Sequence, residues 1–205
     1  MNPLDKLIAQ FEKFPGVGAR QAKRFAFHVL TQSEADSKEL AELIASIKGS
    51  VVECAECHRF FVTNNGTVCT ICNSNNRDRS RLLVVERDSD VQAIERAGIY
   101  DGLYFVLGGT VPLLQNAEND KLRGGALKSV VKARTAAEPA LTEVILGFSI
   151  NPDGENTARF VESILKEFVA NGTLTISHLG RGLSTGSELE YADAETIKNA
   201  LRNRY

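Results

Sequence analysis

Four cysteines have the spacing expected of ligands for one metal ion. Cys54 and Cys57 form one Cys-x-x-Cys pair, and Cys69 and Cys72 form a second pair further along the chain. Two such pairs, joined by a segment that folds back as a hairpin, present four thiolates at tetrahedral positions. This arrangement suits zinc, with Zn–S distances of about 2.3 Å. The segment Asn64–Gly66 lies between the pairs and predicts the hairpin turn.

The same cysteines permit two other interpretations. Two disulfides would use all four thiols, although a chain with no secretion signal disfavours them. A redox-active Cys-x-x-Cys is the second alternative, but such motifs come singly and open a helix. The paired spacing favours one structural Zn²⁺ per chain, and because four sulfurs close the coordination shell, that ion is predicted to do no chemistry. His58, beside a ligand, is therefore expected to be a surface residue.

A second candidate site is a glycine-rich turn that leads into a basic helix. Gly16 and Gly18 belong to the sequence FPGVG, and the helix predicted after it begins with Arg20, Lys23 and Arg24. Glycines let backbone N–H groups approach a ligand without a Cβ in the way. The partial positive charge of a helix N-terminus favours a phosphate. Because the cations are spaced three and four residues apart, they share one face, and the opposite face is apolar.

This arrangement resembles a helix-hairpin-helix, a motif that grips nucleic-acid phosphates without recognising bases. The formal net charge of the chain is −2, so no global positive field attracts nucleic acid, and binding must come from a local patch. The alternative is an ordinary helix–turn–helix whose basic face is only solvated. The residues themselves favour DNA binding over this alternative.

Acidic residues follow two of the predicted strands. Glu86 ends the apolar strand RLLVVE, and Asp153 and Glu155 follow the apolar strand in TEVILGFS. Open α/β sheets hold ligands at the carboxyl ends of their strands, and carboxylate oxygens suit Mg²⁺. The alternative for Glu86, Asp88 and Asp90 is to cap a helix and complement its dipole. The residues leave both interpretations open.

The elements that position these sites follow from the apolar periodicity. Helical spacing predicts three helices before the cysteines, with Ser33 as the N-cap of the third and Phe25 on the core face of the second. From Arg81 onward, strands that are apolar on both faces alternate with helices, which predicts a parallel sheet covered on both sides. The fold class is mixed α/β. The predicted regions are a helix-hairpin-helix at 1–52, a four-cysteine module and polar linker at 53–80, an open α/β domain at 81–180, and a C-terminal loop and helix at 181–205 for subunit contacts.

Composition narrows the class of protein. The chain has 205 residues, of which 43% are hydrophobic and 24% charged, as is ordinary for a globular protein. No apolar run approaches the length of a membrane span, and the N-terminus lacks the pattern of a signal peptide, so a cytoplasmic protein is expected. No G-x-x-x-x-G-K-[ST] motif occurs, which leaves an ATPase without support.

The order of these modules resembles the RecR family of bacterial recombination mediators, and the resemblance covers nearly the whole chain. Beside the cysteine spacing, it is carried by FPGVGARQAKRFAFHVL, LLVVERDSDVQAIERAGIYDGLYFVLGG, TEVILGFSINPDGENTA and ISHLGRGLSTGSELEYAD. The resemblance implies a helix-hairpin-helix, a zinc finger and a Toprim domain, the α/β fold that topoisomerases share with bacterial primases.

The family resemblance also implies a function without catalysis. Its members assemble into a ring-shaped homotetramer that encircles DNA, and they act with RecO and RecF to load recombinase onto single-stranded DNA. Arg20, Lys23 and Arg24 would then line the inner wall, so the outer surface can remain acidic. The Toprim edge with Glu86 and Asp153, and Glu155 beside them, would face partners such as RecO.

The sequence departs from the family pattern at two places. GGTVPLLQNAENDKLRGGALK, in the region 109–129, stands where the family usually has Ser-Pro-Leu-Asp-Gly. The motif after the third strand is also shorter than the family's usual Asn-Pro-x-x-Glu-Gly-Glu. Toprim enzymes carry Asp-x-Asp at this place, and here Asn151 occupies the first of those positions. A neutral amide is a poor ligand for a hard cation, so a magnesium site is predicted to be weakened or lost. This disfavours the alternative function, a Mg²⁺-dependent Toprim nuclease or strand transferase. A third hypothesis is a zinc scaffold that ignores DNA.

Overall fold

The computed structural model describes residues 1–63, 65–113, 122–180, 182–183, 186 and 188–202. The chain forms two compact units, Met1–Val52 and Glu53–Tyr205. In the described part of the chain, no helix has the length and apolar character needed to cross a bilayer.

The first unit contains three helices. They are α1 (Pro3–Phe11), α2 (Ala19–Thr31) and α3 (Glu34–Ser50). Local sequence explains where they begin. The side chain of Asn2 accepts a hydrogen bond from the backbone N–H of Asp5 at 2.8 Å, and Ser33 caps α3 by accepting from Asp36 N at 3.1 Å. The predicted capping role of Ser33 is confirmed, and α1 packs against α2.

The cysteine module is built on two short strands. β1 (Val51–Glu53) and β2 (Phe60–Val62) form a two-stranded sheet, and the first cysteine pair lies in the turn between them. The chain after β2 returns to this turn, because Ala55 N donates to Thr67 O at 2.9 Å. Of the predicted turn at 64–66, Asn64 lies outside the described residues.

A four-stranded parallel sheet forms the centre of the second unit. Its strands are β3 (Asp78–Val85), β4 (Gly102–Val106), β5 (Glu143–Gly147) and β6 (Thr175–His178), in the order β4-β3-β5-β6. In the described part of this unit, successive strands are connected by α4 (Asp88–Ala97), α5 (Gly124–Thr135) and α6 (Pro152–Ala170), and α7 (Ala194–Arg202) comes after β6. A 3-10 turn at Leu189–Tyr191 precedes α7. The predicted parallel α/β sheet is confirmed.

β3 begins earlier than the sequence indicated. Residues 78–80 were expected to belong to a polar linker, but Asp78 pairs with Gly102 of β4, and Asp78 N donates to Asp101 O at 2.9 Å. Polar side chains fit here because they form their own hydrogen bonds: the Asp78 carboxylate accepts from the Ser80 hydroxyl at 2.6 Å. Pairing to a neighbouring strand therefore overrides the local polarity.

The two edges of the sheet differ in how they are covered. All five residues of β4 are buried although the strand lies at an edge, whereas β6 leaves Thr175 and His178 exposed. The cysteine module accounts for the covered edge. Val106 N donates to Cys57 O at 2.8 Å, and the His58 ring lies edge-on to Phe105 with centroids 5.1 Å apart. The module and the sheet therefore share one core.

Candidate functional site

The four cysteines converge on one point. All four are buried and free of disulfides, and their sulfurs lie within 4.8 Å of one another. The sulfurs of Cys57 and Cys69 are 3.6 Å apart. Free thiols at this spacing do not support the disulfide alternative. Among the described residues, no other group of three or more His, Cys, Asp or Glu side chains is arranged to hold a metal ion.

The electrostatics of this cluster suit a cation. Hydrogen bonds from Cys57, Cys69 and Cys72 lower the pKa of the Cys54 thiol, whereas hydrogen bonding to the other sulfurs, together with burial, raises the pKa of Cys72. Four adjacent buried sulfurs cannot all carry a negative charge without a compensating ion. A divalent metal supplies that compensation, so the donor set fits a tetrahedral thiolate site.

Contacts outside the cysteines join the module to helices α4 and α5. Arg134 of α5 donates from Nη2 to the Glu56 carboxylate at 2.9 Å, and Phe60 N donates to Asp88 Oδ1 at 2.6 Å. Asp88 was a candidate for helix capping, but its carboxylate oxygen binds the second strand of the module instead. The capping role belongs to Asp90, which accepts from Arg87 N at 2.8 Å.

His58 is only partly exposed, not the surface residue that the sequence indicated. Its side chain is 20% exposed, and Nδ1 lies 2.5 Å from the Glu53 carboxylate. Partial burial of Glu53 opposes its ionisation, but hydrogen bonds from His58 and Arg123 outweigh that cost and lower the pKa of Glu53. Glu53, Arg123 and Arg134 were not among the predicted site residues. No local signal identifies them, because the pairs that they form join residues 70 and 78 positions apart.

The glycine turn and the basic helix have the local geometry expected of them. Gly16 has φ of 76°, which an L side chain rarely adopts, and Gly18 is the N-cap of α2. A Cβ at either glycine would meet nothing within 4 Å, so the turn is open to an approaching group. Arg20, Lys23 and Arg24 are all exposed, and none forms an ion pair within the described residues.

The opposite face of α2 is less buried than predicted. Only Ala22 and Ala26 are buried in this helix, whereas Phe25 is 46% exposed and was expected in the core. Three helices are too few to enclose both faces of α2. An apolar groove of about 490 Å³ remains open in this unit, with Leu40 and Ile44 of α3 in its lining. The unit thus exposes a basic face and an apolar surface together.

The acidic candidates lie at the carboxyl edge of the sheet, and each has a partner within the chain. Glu86, 7% exposed, accepts from Ser149 N at 2.7 Å and so joins the end of β3 to the chain after β5. Asp153 accepts from Leu113 N at 2.9 Å, and Glu155 lies 3.7 Å from Arg159 on α6. Glu86 and Asp153 thus accept from backbone N–H groups and Glu155 pairs with an arginine, and these three carboxylates are not grouped as a metal site.

Asn151 has a structural task at the same edge. Its side-chain oxygen accepts from Gly154 N at 2.8 Å and caps α6, which begins at Pro152. Gly154 is required here, since a Cβ would lie 1.9 Å from the carbonyl oxygen of Ser149. The residue that replaces the first acid of the Toprim pattern therefore organises a helix start.

Comparisons with known proteins cover most of the chain. Three family profiles match it: RecR, helix-hairpin-helix, at residues 4–48; Toprim domain at residues 80–179; and RecR, C-terminal, at residues 182–205. Proteins named "Recombination protein RecR" from Streptococcus thermophilus and Staphylococcus saprophyticus are each 35% identical over 202 residues, which is 98% of this chain and 96% of theirs. A protein of the same name from Lactobacillus johnsonii is 32% identical over the same shares.

Proposed function

The chain belongs to the RecR family of recombination proteins, and from this premise we propose that it is a non-enzymatic DNA clamp in recombinational repair. The observation that carries the DNA-binding part is the exposed basic face of α2 directly after the open glycine turn. Binding is to phosphates and is independent of base sequence, because phosphate contacts position a protein on DNA without specifying bases.

The contact to DNA combines backbone and side-chain donors. Gly16 and Gly18 leave room for a phosphate oxygen to reach the backbone N–H groups at the start of α2. Arg20, Lys23 and Arg24 add positive charge along the next turns of the same helix. A single such site binds weakly, so several copies acting on one DNA molecule are needed for a stable complex.

Assembly into a ring of four copies supplies those repeated sites. The helical unit exposes more large apolar side chains than an isolated domain of this size tolerates, including Phe25, Leu43 and Ile44. Covering them in a subunit contact would remove this surface from water, and residues 181–205 would make the other contact. A ring also explains how an acidic chain holds DNA, since cations are needed only on the inner wall.

The remaining assignments follow from the family. We propose that the ring acts in the cytoplasm with RecO and RecF to load recombinase onto single-stranded DNA. The edge of the sheet with Asp153 and Glu155 is the proposed contact for RecO. Glu86 stabilises this edge, because its carboxylate accepts a hydrogen bond from the backbone N–H of Ser149.

The metal is proposed to be one Zn²⁺ per chain, bound by Cys54, Cys57, Cys69 and Cys72. Zinc supplies no chemistry in a closed four-sulfur shell; it contributes folding free energy. The same reasoning separates the protein from Toprim enzymes. With Asn151 and Asp153 both engaged in hydrogen bonds to the backbone, the carboxyl edge supports no magnesium-dependent cleavage.

The DNA contact is tested by measuring double-stranded DNA affinity across a salt series. The combined variant Arg20→Ala, Lys23→Ala and Arg24→Ala should bind more weakly, and its salt slope should flatten by roughly one unit per lost contact. A matched control removes three exposed lysines elsewhere, Lys38, Lys48 and Lys166, and makes the same change in net charge. Equal losses in the two variants would show that overall charge, not this helix, attracts DNA.

A further inference from the structure

The side chain of Arg123, which is not one of the four cysteine ligands, joins the cysteine module to the carboxyl end of β4. We propose that Arg123 is a positioning residue that couples metal binding by the four cysteines to the order of β4 and the first turn of α5. This coupling rests on the proposed metal site but not on DNA binding, because all of the contacts involved lie within residues 53–202 of the second unit.

Arg123 bridges the two parts with three hydrogen bonds. Its Nη2 donates to Glu53 Oε2 at 3.2 Å, and its Nη1 donates to the carbonyl oxygen of Val106 at 3.1 Å. Its backbone N–H donates to Leu107 O at 3.0 Å. The side chain is 20% exposed, so these contacts are partly shielded from water. Arg123 directly precedes α5, and a rigid guanidinium fork fits this bridging role better than a lysine would.

Glu53 brings this contact to the metal ligands. It directly precedes Cys54, and its other carboxylate oxygen pairs with His58, which directly follows Cys57. One carboxylate therefore spans the turn that carries the first cysteine pair. Any rearrangement of that turn displaces the carboxylate that Arg123 holds.

The backbone makes the same connection a second time. Val106 donates from its N–H to Cys57 O at 2.8 Å and accepts at its C=O from Arg123. The backbone N–H of Val106 thus bonds the turn that carries the first cysteine pair. Its C=O bonds Arg123, which in turn bonds Glu53 of the module. The end of β4, the start of α5 and the cysteine turn form a closed loop of contacts.

Coupling of this kind is reciprocal. If metal binding favours the ordered state of Val106 and the start of α5 by a certain factor, then that ordered state raises metal affinity by the same factor. Loosening the arginine contact should therefore weaken metal binding. Contacts beyond the ligands change metal affinity by about tenfold or more in known metal sites. This reciprocity gives two independent measurements on the full-length chain, neither of which involves DNA.

The first measurement is zinc affinity, determined by competition with a chromophoric chelator. Arg123→Gln should lower zinc affinity about tenfold, and Glu53→Gln should have a similar effect. The matched control is Lys128→Gln in the same helix, since Lys128 pairs with Glu167 of α6 at 3.2 Å instead of with the module. Unchanged affinity in both Arg123→Gln and Glu53→Gln, or an equal loss in Lys128→Gln, would overturn the proposal.

The second measurement is hydrogen–deuterium exchange with zinc bound and after chelation. Removal of zinc should speed exchange about tenfold or more in peptides covering 102–108 and 123–128, while the opposite edge at 175–178 changes little. In Arg123→Gln with zinc bound, exchange at 123–128 should already be fast. Unaltered exchange at 102–108 after chelation would overturn the coupling, and so would an equal rise at both edges of the sheet.

Discussion

The helical unit at 1–52 and the α/β unit at 53–205 use their apolar residues differently. In the helical unit only Ala22 and Ala26 are buried. In the α/β unit the apolar residues of β3 and β4 are almost inaccessible, with Leu82, Leu103 and Phe105 at 0% exposure. Both regions have amphipathic sequences, so the difference lies in how much of each apolar surface finds a neighbour within the chain.

This difference separates a region with a large buried core from one that leaves both apolar side chains and cations exposed. Helices α4 and α6 contact the parallel sheet and the cysteine module covers its β4 edge, so the apolar residues of β3 and β4 are buried. The helical unit exposes Leu43, Ile44 and Ile47 on one helix and three cations on another. An exposed apolar surface beside a free basic face is typical of a binding region.

Among the changes that test this comparison, removing the metal should have the largest effect, a loss of stability in the α/β unit. Cys54→Ser or Cys69→Ser, or chelation of the wild type, should cost several kcal/mol of the roughly 10 kcal/mol that structural zinc supplies. Thermal unfolding should show a large loss of stability in the α/β unit, and elemental analysis should find one zinc per chain. A metal-free protein that unfolds at an unchanged temperature would remove the basis for a structural ion.

The next largest effect should come from truncating one apolar residue in each unit, because the two units should lose different amounts of stability. Leu103→Ala in the buried strand should lower the free energy of unfolding by about 2–5 kcal/mol, because it leaves a cavity. Ile44→Ala, at a side chain 63% exposed, should lower it by less than about 1 kcal/mol in the isolated chain and instead weaken self-association. Denaturant unfolding and analytical ultracentrifugation distinguish these effects; the comparison fails if Ile44→Ala destabilises as much as Leu103→Ala.

A smaller effect is expected at the carboxyl edge of the sheet. Asn151→Ala removes the cap of α6 and should cost about 1 kcal/mol of stability. Asn151→Asp is the matched variant, because a carboxylate caps as well as an amide. It should retain stability in denaturant titrations. A loss as large as that of Asn151→Ala would show that Asn151 acts through something other than its acceptor oxygen.

The smallest expected effect is a change in how the stability of the α/β unit depends on pH. Hydrogen bonds from Ser80 and Arg81 lower the pKa of Asp78 from 3.8 to about 2. Since the folded-state pKa lies below the unfolded one, this stabilisation is fully present above about pH 4 and is lost as the pH falls towards 2. Asp78→Asn should lower stability at pH 7 but less at pH 2, as measured by urea unfolding. An equal difference at both pH values would contradict this.

Local sequence accounts for much of this protein. Cysteine spacing predicted the cluster of four sulfurs, since four cysteines in one short segment can converge with few contacts to the rest of the chain. Alternation of apolar strands with helices predicted the parallel sheet, and the glycine turn predicted that a helix follows it, which is α2 from Ala19. These features depend on periodicity and on interactions between near neighbours, which a sequence displays directly.

Tertiary structure decided what depends on residues distant in the chain. Phe25 has the spacing of a core residue, yet only the count and placement of neighbouring helices determine whether it is covered. The polar segment at Asp78 became strand because Gly102 supplies a partner for its backbone. Arg123 and Glu53 meet across 70 residues because β4 ends beside the cysteine turn. Such contacts arise from which faces the folded chain brings together, and no local pattern encodes them.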